Sequence, residues 1–138
     1  MRSRGVRSGM GVLVLLLPLV VSPAAAGKAD VVAVEATESG PGQWRFAVTV
    51  RHEDRDPGHW ADWWRVRTAD GRELGRRVLL HAHVDEQPFT RDEQITIPRD
   101  VTVVIVEAHD KVHGSGGATV TVDLRRPAGP GYKVIRLR

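Results

Sequence analysis

Residues 44–64 read WRFAVTVRHEDRDPGHWADWW. The first half alternates strictly. Trp44, Phe46, Val48 and Val50 fall on one side and Arg45, Ala47, Thr49 and Arg51 on the other, the two-residue period of a strand with one face in a core. His52 continues the apolar register at the strand's end. Asp56-Pro57-Gly58 then supplies a turn, because proline presets φ and glycine accepts positive φ. Beyond it, over 62–68, Trp64 and Val66 alternate with Trp63, Arg65 and Arg67. Two strands thus meet across a connection, His52 to Trp64, that carries two histidines, four acidic residues and three of the chain's four tryptophans.

Outward from this pair the pattern repeats. Residues 31–37 predict a first strand at a sheet edge, and Ser39-Gly40-Pro41-Gly42 a turn into 43–52. Ala69-Asp70-Gly71-Arg72 is a hairpin signal. It returns the chain through a strand at 73–83, with Leu74, Val78, Leu80 and Ala82 on one side and His81 and His83 closing the other. Asp85-Glu86-Gln87-Pro88 breaks that strand, Phe89 is expected in the core, and 93–97 is a short strand. Residues 101–108 (VTVVIVEA) are apolar on both faces in their first half, which predicts a central strand. A glycine-rich connection, 109–117, leads into a last alternating strand at 117–124. No segment shows a sustained helical period. The expected fold is all-β, an antiparallel immunoglobulin- or fibronectin-III-like β-sandwich of about seven strands. It occupies 27–124, followed by a Pro/Gly-punctuated tail, 125–138, in which Tyr132 to Leu137 can add an edge strand.

Residues 1–26 read as a signal peptide. Arg2, Arg4 and Arg7 form a basic n-region, and 11–21 (GVLVLLLPLVV) is an apolar stretch too short to span a bilayer. Ala24-Ala25-Ala26 offers a small-residue cleavage site, so the mature chain is expected to begin at Gly27. The three leader arginines account for the whole formal excess of +3. The remainder is balanced in charge, which excludes the basic footprint of a nucleic-acid binder and gives no argument for membrane-surface binding. With no cysteine there is neither a disulfide nor a lipobox. A periplasmic or secreted, soluble protein without a stable membrane anchor is expected.

The strand order sends all six histidines to one pole. His52 ends one strand, His59 lies in the loop that follows, His81 and His83 close the return strand, and His109 and His113 flank the glycine-rich connection. Asp54, Asp62, Glu86 and Asp110 accompany them, with Arg91 nearby. Two readings stand. In one, the pole is a hydrogen-bonded polar network tying three connections together. In the other it is a metal site. His81 and His83, two residues apart on a strand, share a face about 6.5–7 Å apart. A third ligand would come from His52, His59, His109, His113 or a carboxylate such as Asp54 or Glu86. Imidazole with carboxylate suits zinc, copper(II) or iron, and the lack of cysteine and shortage of methionine argue against copper(I). Mutual repulsion would lower the histidine pKa values and the carboxylates would raise them, a balance the sequence leaves open.

Trp60, Asp62, Trp63, Arg91 and Asp110 are candidate ligand-binding residues at the same pole, for a small molecule or a partner protein. Nucleophilic catalysis finds little support. Beyond the leader only Ser39 and Ser115 remain, and the run His113-Gly-Ser-Gly-Gly lacks the spacing of a nucleophile elbow. A pair of carboxylates such as Asp54 and Glu86 could do acid/base work, which leaves a small hydrolase or metalloenzyme as a further alternative. Nothing in the sequence fixes their separation, and no catalytic residue is assigned.

Four motifs together resemble a group of small exported bacterial proteins of uncharacterised function. They are His52-x-Asp54, Trp60-x-Asp62-x-Trp64, His81-x-His83-x-x-Glu86-Gln-Pro-Phe-Thr-Arg91 and His109-Asp-x-Val-His113-Gly-x-Gly-Gly117. The resemblance covers about 43–124 and implies a secreted β-rich domain without implying an activity. Two metal-binding sandwich families are similar in part. Superoxide reductases also require a cysteine at iron, which is absent here. CopC-like copper proteins begin with a ligating histidine, where this chain is expected to begin with Gly27.

Overall fold

The computed structural model describes residues 11–14 and 27–137. The expected leader therefore lies outside the described residues, apart from 11–14, where Val12, Leu13 and Val14 are exposed. None of the described residues is helical. Ten strands run in chain order: β1 (Asp30–Gly40), β2 (Gln43–Arg51), β3 (Ala61–Arg67), β4 (Glu73–Val78), β5 (Phe89–Thr96), β6 (Val103–Asp110), β7 (Gly114–Ser115), β8 (Val120–Asp123), β9 (Ala128–Gly129) and β10 (Tyr132–Ile135).

They form two sheets, β5-β2-β1-β10-β9 and β4-β3-β6-β7, with β8 also paired to β6. The core lies between them, as the alternation in β2 requires. Trp44, Phe46, Val48 and Val50 are buried and face Trp64 and Val66 of β3 and Val104 and Val106 of β6 in one apolar cluster. Phe89 is buried, at the start of a β5 that begins four residues earlier than the alternation suggested. Every buried apolar side chain among the described residues lies between Ala29 and Val134. The β-sandwich read from the sequence is the observed architecture.

Two local expectations are corrected. The first strand is not at an edge. Its residues Val34 to Thr37 pair in parallel with Tyr132 to Ile135 of β10, while β2 pairs antiparallel on its other side. The tail segment returns into the same sheet because it has apolar surface to bury, and Tyr132 and Val134 lie in the core. The return strand also stops at Val78 instead of His83. Leu79, whose N–H donates to Asp62 O at 2.9 Å, is buried, whereas Val78 and Leu80 are exposed. The chain leaves the sheet here because the His83 backbone N–H is held by the Asp54 carboxylate rather than by a neighbouring strand.

The topology carries β2 outward to the same end of the sandwich at which β3 begins and β4 and β6 finish, with Ala61 of β3 paired to Asp110 of β6 and Val50 of β2 to Phe89 of β5. That end holds the six histidines.

Candidate metal centre

Asp54 organises this end. Its Oδ1 accepts from His52 Nδ1 at 2.6 Å and from the Ala61 N–H at 3.1 Å, and its Oδ2 accepts from the His83 N–H at 2.7 Å. One buried carboxylate thus joins the β2–β3 connection, the start of β3 and the segment after β4. Gln87 adds a second tie, accepting from His52 N–H and donating to His83 O. The turn between is closed by paired backbone bonds of Arg55 and His59, with Gly58 at positive φ.

Held this way, His52 turns its Nε2 toward Asp110 and His59. His52 Nε2 lies 3.8 Å from Asp110 Oδ2, His59 Nε2 3.4 Å from Asp110 Oδ1, and His113 Nδ1 3.3 Å from that same oxygen. His59 Nε2 and His113 Nδ1 are 3.2 Å apart. His52, His59 and Asp110 each offer a ligand atom within 4.8 Å of the others. Zinc–nitrogen bonds of about 2.0–2.1 Å in a tetrahedron place neighbouring ligand atoms about 3.3 Å apart. The 3.2–3.4 Å separations among His59, His113 and Asp110 Oδ1 match this, and His52, at 3.8 Å from Asp110 Oδ2, lies a little farther out.

Asp110 has no exposed surface. Its Oδ1 accepts the N–H groups of Val112 and His113, at 2.8 and 2.7 Å, while its Oδ2 is buried with no hydrogen-bond partner. A buried carboxylate oxygen without a donor is costly, and a cation satisfies it. Gly27 closes the top of the cluster, its carbonyl 3.0 Å from His52 Nε2 and 3.4 Å from His59 Nε2.

The titration directions follow from this packing. Burial works to lower the His52 pKa, but the Asp54 hydrogen bond, the Gly27 carbonyl and the charges of Asp54 and Asp110 outweigh it, and the pKa is raised. Asp54 faces one ring nitrogen of His52 and Gly27 O the other, so both nitrogens have an acceptor in reach. Burial works to raise both carboxylates. Hydrogen bonds from His52, His83 and Ala61 leave Asp54 lowered, and the N–H groups of His113 and Val112 with the charge of His52 leave Asp110 lowered.

His81, His83, Glu86 and Arg91 form a separate group. The His83 ring is buried and stacks on Phe89 at 3.8 Å, and its Nε2 accepts from Arg91 at 3.0 Å. His81 is exposed, with its ring 4.4 Å from that of His83, and exposed Glu86 pairs with Arg91 at 3.5 Å. Arg91 occupies His83 Nε2, while the buried His83 Nδ1 has no hydrogen-bond partner. His81 and His83 lie outside any strand, so the spacing argument for them does not apply. A third group sits on the sheet surface. His109 donates to Asp62 at 2.6 Å and stacks on Trp63 at 4.4 Å, and Arg76 lies 3.9 Å from the Trp63 ring centre. Trp60 carries Lys111 at 4.3 Å. The two tryptophans are thereby occupied by cations, a cation–π arrangement that packs the surface.

Two residues of the cluster were not in the ligand set read from sequence. Asp110 was grouped with general ligand-binding residues, although its place four positions before Gly114 in the last connection marked it as equally near. Gly27 had no signal beyond the cleavage pattern.

A protein of Halomicrobium mukohataei bearing the name "Putative lipoprotein" is 46% identical over 96 residues, which is 70% of this chain and 47% of that protein. The chain spans about half the length of the curated relative it matches. That name states no activity. No family model and no solved structure matches the chain.

Proposed function

We propose that this chain is an exported β-sandwich domain that binds one divalent transition-metal ion, zinc or copper(II), through His52, His59 and Asp110, with His113 beside them. The observation that carries the reading is the fully buried Asp110 carboxylate, whose Oδ2 has no donor and lies 3.8 Å from His52 Nε2 and whose Oδ1 lies 3.4 Å from His59 Nε2. Two imidazoles and a carboxylate are a donor set suited to zinc and copper(II). Asp54 behind His52 is the outer carboxylate that orients a ligating imidazole. Export is supported by the leader pattern and by the relative's name. The lipid in that name is not carried over, because the 138 residues contain no cysteine. The role is binding, and no residue is assigned to catalysis.

A metal-free network is the second reading, favoured by the two acceptors that His52 already has. Calorimetric titration of the chelator-stripped chain with Zn²⁺ and Cu²⁺ separates the two. One equivalent bound by the wild type and by His81→Ala but not by His59→Ala supports the centre. Absence of stoichiometric binding by the wild type, or binding that survives His59→Ala, sinks it.

A further inference from the structure

Gly27 occupies a place that nothing in a simple surface cluster requires. Its carbonyl oxygen faces both His52 Nε2 and His59 Nε2. Its Cα lies so close to the third imidazole that a Cβ built on it would be 2.3 Å from His113 Cε1 and 2.7 Å from its Nδ1, and its φ is +128°. Only glycine fits there. The position is also fixed from below. Val31 N–H donates to Ala118 O at 2.8 Å, Ala118 N–H donates to Asp30 Oδ1 at 2.7 Å, and Ala29 is buried two residues from Gly27.

The same residue follows the Ala24-Ala25-Ala26 pattern at which a signal peptidase would cut. Resting on the metal reading above, we propose that cleavage after Ala26 completes the metal centre, the new α-amino group and the carbonyl oxygen of Gly27 closing a chelate on the ion held by His52, His59 and Asp110. Hydrolysis adds one water across the Ala26–Gly27 bond, leaving a carboxylate on Ala26 and an ammonium on Gly27. The ammonium loses its proton on binding the metal. Before cleavage the Gly27 nitrogen is an amide whose lone pair is delocalised and which is no ligand for a divalent ion at neutral pH. Afterwards it is an amine whose lone pair is free to bind once the metal displaces its proton. The N and O atoms of one residue subtend a five-membered ring with the ion, and the oxygen is already beside two of the imidazoles. The site thus matures on export, and the precursor inside the cell binds metal weakly.

The test compares three forms in Cu²⁺ titrations: residues 27–138 with a free Gly27 amine, the same chain acetylated on Gly27, and residues 24–138, which keep Ala24-Ala25-Ala26. All contain every buried apolar side chain of the described residues, and melting of the metal-free forms checks that they are equally folded. The free-amine form should bind tighter by about tenfold or more than both blocked forms. Glycine ¹⁵N labelling should change the nitrogen hyperfine pattern of its Cu²⁺ spectrum alone. Affinities of the three forms within a smaller factor, together with an unchanged spectrum on labelling, overturn the role of Gly27 while leaving the His59-dependent centre standing. Loss of His59-dependent binding from all three forms overturns the centre itself and this inference with it.

Discussion

Asp54 Oδ1 and His52 Nδ1 are 2.6 Å apart with neither side chain exposed, and the same carboxylate holds the backbone N–H groups of Ala61 and His83. Removing it orphans three buried donors at once. Asp54→Ala should therefore lose about 3–5 kcal/mol of stability, the range for a broken buried pair. Asp54→Asn should keep more of it and lower metal affinity about 10–100-fold through misorientation of His52. Urea denaturation and metal titration measure the two effects. A loss below about 1 kcal/mol for the alanine variant would show that Asp54 does not organise this end.

Trp64 is fully buried between the sheets, at the meeting point of β3 with the alternation of β2. Its truncation to alanine should cost about 3–5 kcal/mol by loss of burial and cavity formation. The cost should be the same with or without metal, since the side chain is in the core and not among the ligands. A Trp64→Ala variant whose destabilisation disappears on adding Zn²⁺ would place the ring in the site instead.

The parts of this molecule that follow a period were legible, and the parts fixed by single long-range contacts were not. Alternation in Trp44–Val50 and in Trp64–Val66 reports a buried face directly, and it gave the sandwich and the inward His52. The end of β4 was misplaced because Leu74, Val78, Leu80 and Ala82 mimic alternation, whereas the actual crossover is set by Asp54 reaching the His83 N–H across 29 residues. The tail's place beside β1 depends on Tyr132 and Val134 finding the core, and a short run of apolar residues does not say which strand it will join. At the site, the chain order carried all six histidines to one end. Which of them converge depends on ring orientation, and no one-dimensional pattern contains it. His81 and His83 were the conspicuous pair in sequence, while His52 and His59 come from the β2–β3 connection and Asp110 from the end of β6.

Gly117 supports the N-terminal segment by close approach. A Cβ there would stand 2.0 Å from the carbonyl oxygen of Ala29, a backbone atom that cannot rotate away. Gly117→Ala should push the 27–31 segment off the β6–β8 connection and cost the upper part of the roughly 1–3 kcal/mol typical of overpacking. Protection of the Val31 amide, which bonds to Ala118 O, should fall with it in hydrogen exchange. Unchanged exchange at Val31 would mean that the two segments are not coupled.

His83 supplies the pH dependence. Burial lowers its pKa first, and the charges of Arg91 and His81 lower it further, against a partial opposing pull from Asp54 and Glu86. The geometry agrees. Its Nε2 already accepts from Arg91, so a proton there would meet a guanidinium at 3.0 Å, and Asp54 Oδ2 stands 3.8 Å from the other nitrogen, beyond hydrogen-bond reach. The folded pKa lies below the unfolded value of about 6.5, so the unfolded chain binds the proton first. The His83 contribution to stability is then intact above about pH 6.5 and declines as pH falls through that value toward the folded pKa. His83→Gln, which keeps an acceptor for Arg91, should flatten the part of the stability profile just below pH 6.5. NMR titration of the metal-free protein should show the His83 ring still neutral where an ordinary imidazole has already charged. A His83 midpoint at or above about 6.5 would overturn the assignment, because an imidazole wedged between Phe89 and a guanidinium has no reason to charge early.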